Sequence, residues 1–158
     1  MLTIREIGKE DLQEYVAMAS ALYSSPACMH EISTKNFTDT FQEVFRSKER
    51  AGLFLIEDET GTVGYILLAF TWSAEAGGLT VWIEELYFKE QARGNGYGSQ
   101  VFAWIEDTYS QAKRFRLEAA RSNERAIALY ESLGYEELPY YQMIKDRKEN
   151  SQTGQREE

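Results

Sequence analysis

The stretch QARGNGYG (residues 91–98) has glycines at three alternate positions and joins two segments of different periodicity. The run before it, VWIEELYF (residues 81–88), is typical of a β-strand, whereas residues 101–112 carry apolar side chains at helical spacing. A helix begins with backbone N–H groups that have no partner within the helix, and a turn without side chains lets an anion reach them. The stretch therefore predicts a strand-to-helix turn that binds a phosphate group, with Arg93 as an additional cation. The alternative is a tight turn whose glycines only satisfy backbone geometry.

The glycine spacing differs from that of two common nucleotide-binding motifs. The motif G-x-G-x-x-G places its third glycine one residue later, and G-x-x-x-x-G-K-[ST] does not occur in the chain. The turn therefore indicates neither a Rossmann dinucleotide site nor an ATPase phosphate loop.

Apolar periodicity along the chain predicts the element order β-α-α-β-β-β-α-β-α-β. Strands are predicted at LTIREI (2–7), in the hairpin GLFLIEDETGTVGYILLAFTW (52–72), and at LTVWIEELYF (79–88), RFRLEAA (114–120) and LPYYQMIK (138–145). Helices are predicted at 9–23, from Ser33 or Thr34 onward, after the glycine turn, and at SNERAIALYESLGY (122–135), begun by Ser122 or Asn123 and ended by Gly134. We expect an α/β (α+β) fold with a mixed, mostly antiparallel sheet of six to seven strands and about four flanking helices. A single domain (residues 1–145) would precede a polar C-terminal tail (146–158).

The composition argues against several classes of function. The net charge is −9 and the pI is near 4.8, which argues against nucleic acid as the partner because phosphate contacts need a basic surface. Cys28 and His30 are the only residues of their types, so no disulfide or zinc cluster is expected. No apolar run reaches the ~20 residues of a membrane span, and the N-terminus lacks a signal-peptide pattern, so we expect a cytoplasmic protein.

Two motifs together resemble those of the GNAT N-acetyltransferase superfamily. The first is EELYFKEQARGNGYGSQVF (84–102), which matches the family's strand, [QR]-x-x-G-x-[GA] and helix at Gln91, Gly94 and Gly96. The second is SNERAIALYESLGY (122–135), which contains an asparagine, a tyrosine two helical turns later and a Leu-Gly-aromatic ending. The resemblance covers roughly residues 2–145 and implies a GNAT-like fold.

The resemblance implies acetyl-CoA as the acetyl donor. Its pyrophosphate would contact the backbone of the glycine turn, and its pantetheine arm would pair with the strand edge at Leu86–Phe88. In the family a bulge separates this strand from the next, and we expect one near Glu84 and Glu85. The residues that the resemblance assigns to the cofactor are Leu86, Tyr87, Phe88, Gln91, Ala92, Arg93, Gly94, Asn95, Gly96, Tyr97, Gly98, Ser99, Asn123 and Ala126.

Acetyl transfer to an amine needs a base for the amine, which titrates near ~10.4, and an acid for the departing thiolate. Through FTW and VWIEELYF the sequence also resembles polyamine- and diamine-type members of the family. In the alignment that this resemblance implies, Glu84 falls on the position of a base acting through water, and Glu85 lies beside the acceptor. In a regular strand the two carboxylates face opposite sides, so only one points towards the acceptor. The resemblance assigns to Tyr130 the protonation of the thiolate.

The resemblance thus implies an N-acetyltransferase that moves an acetyl group to a primary amine of a small molecule by direct transfer in a ternary complex. The alternatives are a protein or peptide N-acetyltransferase and a CoA-binding module without turnover. The loop YSSPACMHE (23–31) lines the acceptor groove in the family, and its only acid is Glu31, unlike polyamine-type members. Members of the family are frequently dimers, and the apolar final strand (138–145) would supply the contact.

Overall fold

The protein folds around one central sheet, and the structure, a computed structural model, describes residues 1–147. Residues 148–158, most of the expected polar tail, lie outside the described residues. The strands are β1 (Thr3–Glu6), β2 (Ala51–Asp58), β3 (Gly61–Ser73), β4 (Gly78–Phe88) and β5 (Arg114–Leu117), which are neighbours in that order. Strands β1 to β4 pair antiparallel, and β5 pairs parallel to β4.

In the described part of the chain, four α-helices cover the two faces of the sheet: α1 (Leu12–Tyr23), α2 (Thr34–Arg46), α3 (Tyr97–Thr108) and α4 (Glu124–Ser132). Short 3-10 helices at Lys9–Asp11 and Glu90–Ala92 precede α1 and α3. The predicted number of helices and the element order as far as α4 are confirmed. Within residues 1–147, no helix is long and apolar enough to cross a bilayer.

Local sequence explains where α2 and α4 begin and where α4 ends. The Lys35 N–H donates to the side chain of Ser33, which begins α2, and the Ala126 N–H donates to Asn123 Oδ1 at the start of α4. Gly134 follows α4 with a φ of 90°, in the left-handed region that favours glycine.

The prediction of six to seven strands is wrong, because the sheet has five strands within the described residues. The missing strand is LPYYQMIK (138–145), which has no regular secondary structure. Its apolar pattern resembles a strand, yet no element within residues 1–147 covers it: Tyr141 is 99% exposed and Met143 is 91% exposed.

The sheet separates two apolar clusters, since successive side chains of a strand point to opposite faces. On β2, Phe54 and Ile56 pack in the cluster that contains α3, whereas Leu53 and Leu55 pack in the cluster that contains α1 and α2. Side chains of α4, Tyr130 among them, pack against the α3 cluster. The fold is therefore a three-layer arrangement with α1 and α2 on one face and α3 and α4 on the other.

A β-bulge interrupts the pairing of β3 with β4 at Glu84, in the region where the family resemblance implied one. Leu67 is opposite Glu85 and Leu68 is opposite Ile83, so Glu84 is an extra residue with no counterpart on β3. Ile83 and Leu86 therefore share the α3 face although they are three residues apart. In a regular strand Glu85 would share the face of Ile83, but the bulge places it on the α1 and α2 face.

The bulge coincides with the end of the pairing between β4 and β5. Strand β5 pairs with Thr80–Ile83 and with no later residue of β4 in the described chain. The backbone of residues 84–88 therefore has a free edge on the side away from β3.

Candidate functional site

The glycine turn has two glycines in the left-handed region, and each glycine has a structural reason. Gly94 and Gly96 have φ values of 83° and 72°, which side chains other than glycine rarely adopt. Gly98 has no such φ, but a Cβ at this position would lie 2.9 Å from Leu129 Cδ2 on α4. Backbone geometry thus explains two of the glycines, and close packing of α3 against α4 explains the third.

The same turn leaves several backbone donors free. Gly96 is the residue before α3 and has no side chain to cap the helix. No acceptor within the described chain binds the N–H groups of residues 94–96, and the first turn of α3 has none inside the helix. These donors, together with the positive end of the helix dipole, form a site that favours an anion.

A cavity of about 640 Å³ begins at this turn and extends between β4, α4 and the end of α1. Most residues assigned to the cofactor from the sequence line it: Leu86, Tyr87, Phe88, Ala92, Arg93, Gly94, Gly96, Tyr97, Gly98, Ser99, Asn123 and Ala126, together with Tyr130. Gln91 and Asn95 do not line it; Asn95 Nδ2 instead donates to the Ala92 carbonyl over 3.0 Å. Neither Glu84 nor Glu85 lines it.

Sequence reasoning missed Arg125, which lies in the first turn of α4 and lines the cavity. Its Nη2 is 4.0 Å from the place where a Cβ of Gly94 would lie, so it sits over the turn. Arg93 is held by a bond from its Nε to the Phe88 carbonyl (3.1 Å). Neither arginine forms an ion pair with any described residue, so both charges are available in a chain that is otherwise acidic. A basic residue two positions after the Asn123 cap was the signal that could have identified Arg125.

The α1–α2 connection, which includes the loop 23–31, supplies other cavity residues. Leu22, Ser25, Pro26 and Ala27 line the cavity from the end of α1, and Ser122 and Leu129 line it from α4 and the residues before it. This loop was expected at the acceptor groove, and it lies at the cavity that the glycine turn opens.

Tyr130 lies at the cavity with its ring edge-on to Phe102, at a centroid distance of 5.5 Å. Burial raises the pKa of its phenol above the usual value, so the hydroxyl is protonated at neutral pH. No hydrogen bond from this hydroxyl is made to residues 1–147, so it is available to a bound molecule. Asn123, two turns earlier, uses its carbonyl oxygen to cap α4 and retains its amide N–H groups as donors.

Glu85 is a buried carboxylate, 8% exposed, held by two phenols. The Tyr65 hydroxyl donates to Glu85 Oε1 over 3.1 Å, and the Tyr23 hydroxyl donates to Oε2 over 3.4 Å. Burial raises the pKa of Glu85 to about 7; the two phenols oppose this shift and the charge of Glu84 adds to it. Glu85 shares its face of β4 with the cavity residue Tyr87, whose ring is 6.0 Å from that of Tyr65.

Glu84 is the extra residue of the bulge, and the residue as a whole is exposed. Partial burial of its carboxylate, and then the charge of Glu118, raise the pKa of Glu84 above the usual value. The two adjacent carboxylates thus have different surroundings: Glu85 is enclosed by phenols, and Glu84 is only partly buried and lies beside another acid.

Comparison with known proteins places this chain among acetyltransferases. The model of the acetyltransferase (GNAT) family matches residues 15–135. A thialysine N-epsilon-acetyltransferase of Sus scrofa is 32% identical over 78 residues, which are 48% of this chain and 45% of that protein. The match thus spans about half the length of this curated relative.

Two solved structures have a similar fold. A possible acetyltransferase from Clostridium difficile 630 has a TM-score of 0.78 at 20% identity, over 94% of this chain and 99% of that chain. The structure of AAC(6')-Iy in complex with the bisubstrate analogue CoA-S-monomethyl-acetylneamine has a TM-score of 0.75 at 14% identity, over 93% and 99%. At these identities the similarity shows a shared fold.

Proposed function

The chain belongs to the acetyltransferase (GNAT) family, and we propose that it transfers an acetyl group from acetyl-CoA to a primary amine of a small molecule. Transfer is direct, between two substrates bound together. The observation that carries this proposal is the cavity itself, which joins an anion site at one end to an unbonded phenol, Tyr130.

The chemical groups that line the cavity are suited to acetyl-CoA. Free N–H groups of the glycine turn, with Arg93 and Arg125 beside them, would bind the phosphates. The free edge of β4 at residues 86–88 offers backbone partners to an amide-containing chain. Bound there, acetyl-CoA supplies the activated acetyl thioester.

Glu85 is the base in this proposal, and it would act through water because its side chain does not line the cavity. A base for an amine works best with a pKa near the working pH, and the pKa of Glu85 is about 7. Its two oxygens are held by Tyr65 and Tyr23, so the carboxylate has a defined position. The family resemblance placed Glu84 in this role, but Glu84 lies exposed in the bulge beside Glu118. We therefore assign proton removal to Glu85 and give Glu84 no step.

Tyr130 is the acid in this proposal. Its hydroxyl lies at the cavity, is protonated at neutral pH and is bonded to no described residue. It would donate its proton to the thiolate that leaves.

Cys28 is poorly suited to form a covalent acetyl-enzyme. Burial and, secondarily, the charge of Glu85 raise the pKa of its thiol, which lowers the fraction of reactive thiolate. This supports direct transfer without a covalent intermediate.

A small amine as acceptor is supported by the relative that acetylates thialysine and by the structure containing an acetylneamine analogue. A panel of diamines, amino thioethers and amino sugars, compared with peptides, tests the assignment by measuring release of the CoA thiol. We expect release with small primary amines and little with peptides. Thiol release with peptides alone would indicate that the acceptor is a protein or peptide. Tight binding of acetyl-CoA without thiol release with any acceptor would indicate a binding module.

A further inference from the structure

The first residue of α3, Tyr97, is held by both parts of its side chain. Its ring packs against Phe88 at the end of β4, with the ring centroids 6.3 Å apart. Its hydroxyl donates to Asp58 Oδ2 over 2.9 Å, and Asp58 is 39 residues away in the chain. Tyr97 lines the cavity that begins at the glycine turn, whereas Asp58 does not. The bond therefore connects the wall of the cavity to a residue outside it.

Asp58 is itself fixed at the turn between β2 and β3. Its Oδ1 accepts hydrogen bonds from the Thr60 hydroxyl (2.6 Å) and the Thr60 N–H (2.7 Å), which leaves Oδ2 for Tyr97. These bonds, those from Thr60 first, hold the pKa of the Asp58 carboxyl below its usual value, so the group is charged at neutral pH. A hydrogen bond to a charged acceptor is stronger than one between neutral groups. Tyr97 is therefore bonded to an acceptor of fixed position and charge.

The start of α3 has few other contacts that fix it. The turn before it contains two glycines in the left-handed region, and glycine restricts the backbone least. The first buried residue of α3 is Val101, one turn after Tyr97. Within residues 1–147, the bond from Tyr97 to Asp58 is the one side-chain hydrogen bond that joins residues 94–99 to the sheet. This bond therefore restricts where the free N–H groups at the start of α3 can lie.

We propose that Asp58 is a positioning residue for acetyl-CoA: through Tyr97 it holds the first turn of α3 in the geometry that binds the phosphates. The inference rests on the proposed function, since it assumes that the glycine turn binds those phosphates. Donors that are already in position lose less freedom when a ligand binds, which raises affinity. The sign of the effect separates positioning from charge. An acid near an anion site repels the anion, so charge alone predicts tighter binding when Asp58 is removed, whereas positioning predicts weaker binding.

Tyr97→Phe tests the bond, because it removes one hydroxyl and keeps the ring on Phe88. The dissociation constant for acetyl-CoA, measured by calorimetry well below the melting temperature, should rise at least about threefold. The KM for acetyl-CoA should rise by a similar factor, and kcat should fall less, because this hydroxyl has no part in the chemical step. A contact that only stabilised the fold would lower the melting temperature and leave the dissociation constant unchanged.

Two substitutions of Asp58 test the acceptor. Asp58→Ala removes both oxygens and should weaken acetyl-CoA binding at least as much as Tyr97→Phe does. Asp58→Asn keeps one oxygen, and its amide can donate to the Tyr97 hydroxyl, so it should recover part of the lost affinity. The double variant Asp58→Ala with Tyr97→Phe should bind no more weakly than Asp58→Ala alone, because both changes remove the same bond.

The matched control is Glu59→Gln, at the next residue of the same turn. Glu59 also carries a negative charge, but its partner among the described residues is the N-terminal amine at 3.4 Å, and it makes no hydrogen bond to Tyr97. The dissociation constant of Glu59→Gln for acetyl-CoA should equal that of wild type or be slightly lower. A loss of affinity as large as in Asp58→Ala would overturn the assignment to the bond.

The outcomes separate this inference from the proposed function. Wild-type affinity in Tyr97→Phe, tighter binding in Asp58→Ala, or fully additive losses in the double variant would overturn the positioning role alone, because wild type would still bind acetyl-CoA. A wild-type chain that does not bind acetyl-CoA would overturn the proposed function and this inference together.

Discussion

The Tyr65 hydroxyl donates a hydrogen bond to Glu85 Oε1 over 3.1 Å, and both residues are buried: Tyr65 is 0% exposed and Glu85 is 8% exposed. A donor to a buried carboxylate stabilises its charged form, so this bond opposes the rise that burial imposes on the pKa of Glu85. The charges and titratable groups around Glu85 are Tyr15 and Tyr23 of α1, Cys28 of the following loop, Tyr65 of β3 and Glu84 of β4.

Tyr65→Phe removes that bond and should raise the pKa of Glu85. A base acts in its deprotonated form, so the acidic limb of the rate–pH profile should move to higher pH, by about one unit. The measurement is kcat/KM between pH 5.5 and 9. Tyr15→Phe is the matched control, because the ring of Tyr15 lies edge-on to Tyr65 at 5.3 Å but its hydroxyl forms no hydrogen bond with Glu85. An unshifted limb in Tyr65→Phe, with the fold retained, would remove Glu85 from the role of base.

Glu85→Gln should change how stability depends on pH. The pKa of Glu85 is about 7 in the folded protein, against an ordinary value of 4.5 in the unfolded chain, so folding favours the protonated form. The stabilisation is complete below pH 4.5 and is lost as pH rises through 7, a loss on the order of 3 kcal/mol. Denaturant unfolding at pH 5 and pH 8 should show a smaller difference in unfolding free energy for Glu85→Gln than for wild type. Glu84→Gln, at the exposed neighbour, should keep most of the wild-type difference. An equal difference between pH 5 and pH 8 in all three proteins would contradict the burial of Glu85.

Tyr130→Phe should lower turnover and leave acetyl-CoA affinity nearly intact, because only a proton donor is removed. General acids contribute roughly 10²–10⁴-fold, so a loss of at least about tenfold in kcat is expected when chemistry limits the rate. Tyr135→Phe is a matched control: its ring packs on the same Phe102 at 5.5 Å, and its buried hydroxyl has no partner in the described chain. That control should retain turnover and lose no stability. Wild-type kcat in Tyr130→Phe would exclude the acid role.

Gly96→Glu should weaken acetyl-CoA binding by at least about tenfold, through bulk and charge at the free N–H groups. The left-handed φ of 72° also makes this substitution strained, so a control must carry the same strain. Gly77, in the β3–β4 turn, has a φ of 76°, and neither glycine has an atom within 4 Å of an added Cβ. Calorimetry should find normal affinity in Gly77→Glu with a similar fall in melting temperature. Equal affinities in the two variants would show that the turn does not bind the phosphates.

Local features of this fold could be predicted from sequence, because they depend on neighbours in the chain. The cap at Asn123, the glycine that ends α4 and the turn before α3 are of this kind. The partners of Glu85 could not be predicted, since Tyr65 lies 20 residues away and Tyr23 lies 62 residues away. Tyr65 reaches Glu85 through the register of the sheet, and Tyr23 reaches it through the packing of α1 on the sheet. The final strand was expected from its apolar alternation, which marks residues suited to a sheet but does not say which sheet edge is within reach.

The bulge at Glu84 means that the opening beside β4 depends on the number of residues in the strand more than on their chemistry. Replacing Glu84 by any other residue keeps the extra position and so keeps the edge at 84–88 away from β5. Deleting it would leave Glu85, Leu86 and Tyr87 on their present faces, because alternation from Ile83 would then be regular. It would also allow β5 to continue along β4 and close the gap where a pantetheine arm would lie. A single inserted residue thus separates a continuous sheet from one that can admit a ligand.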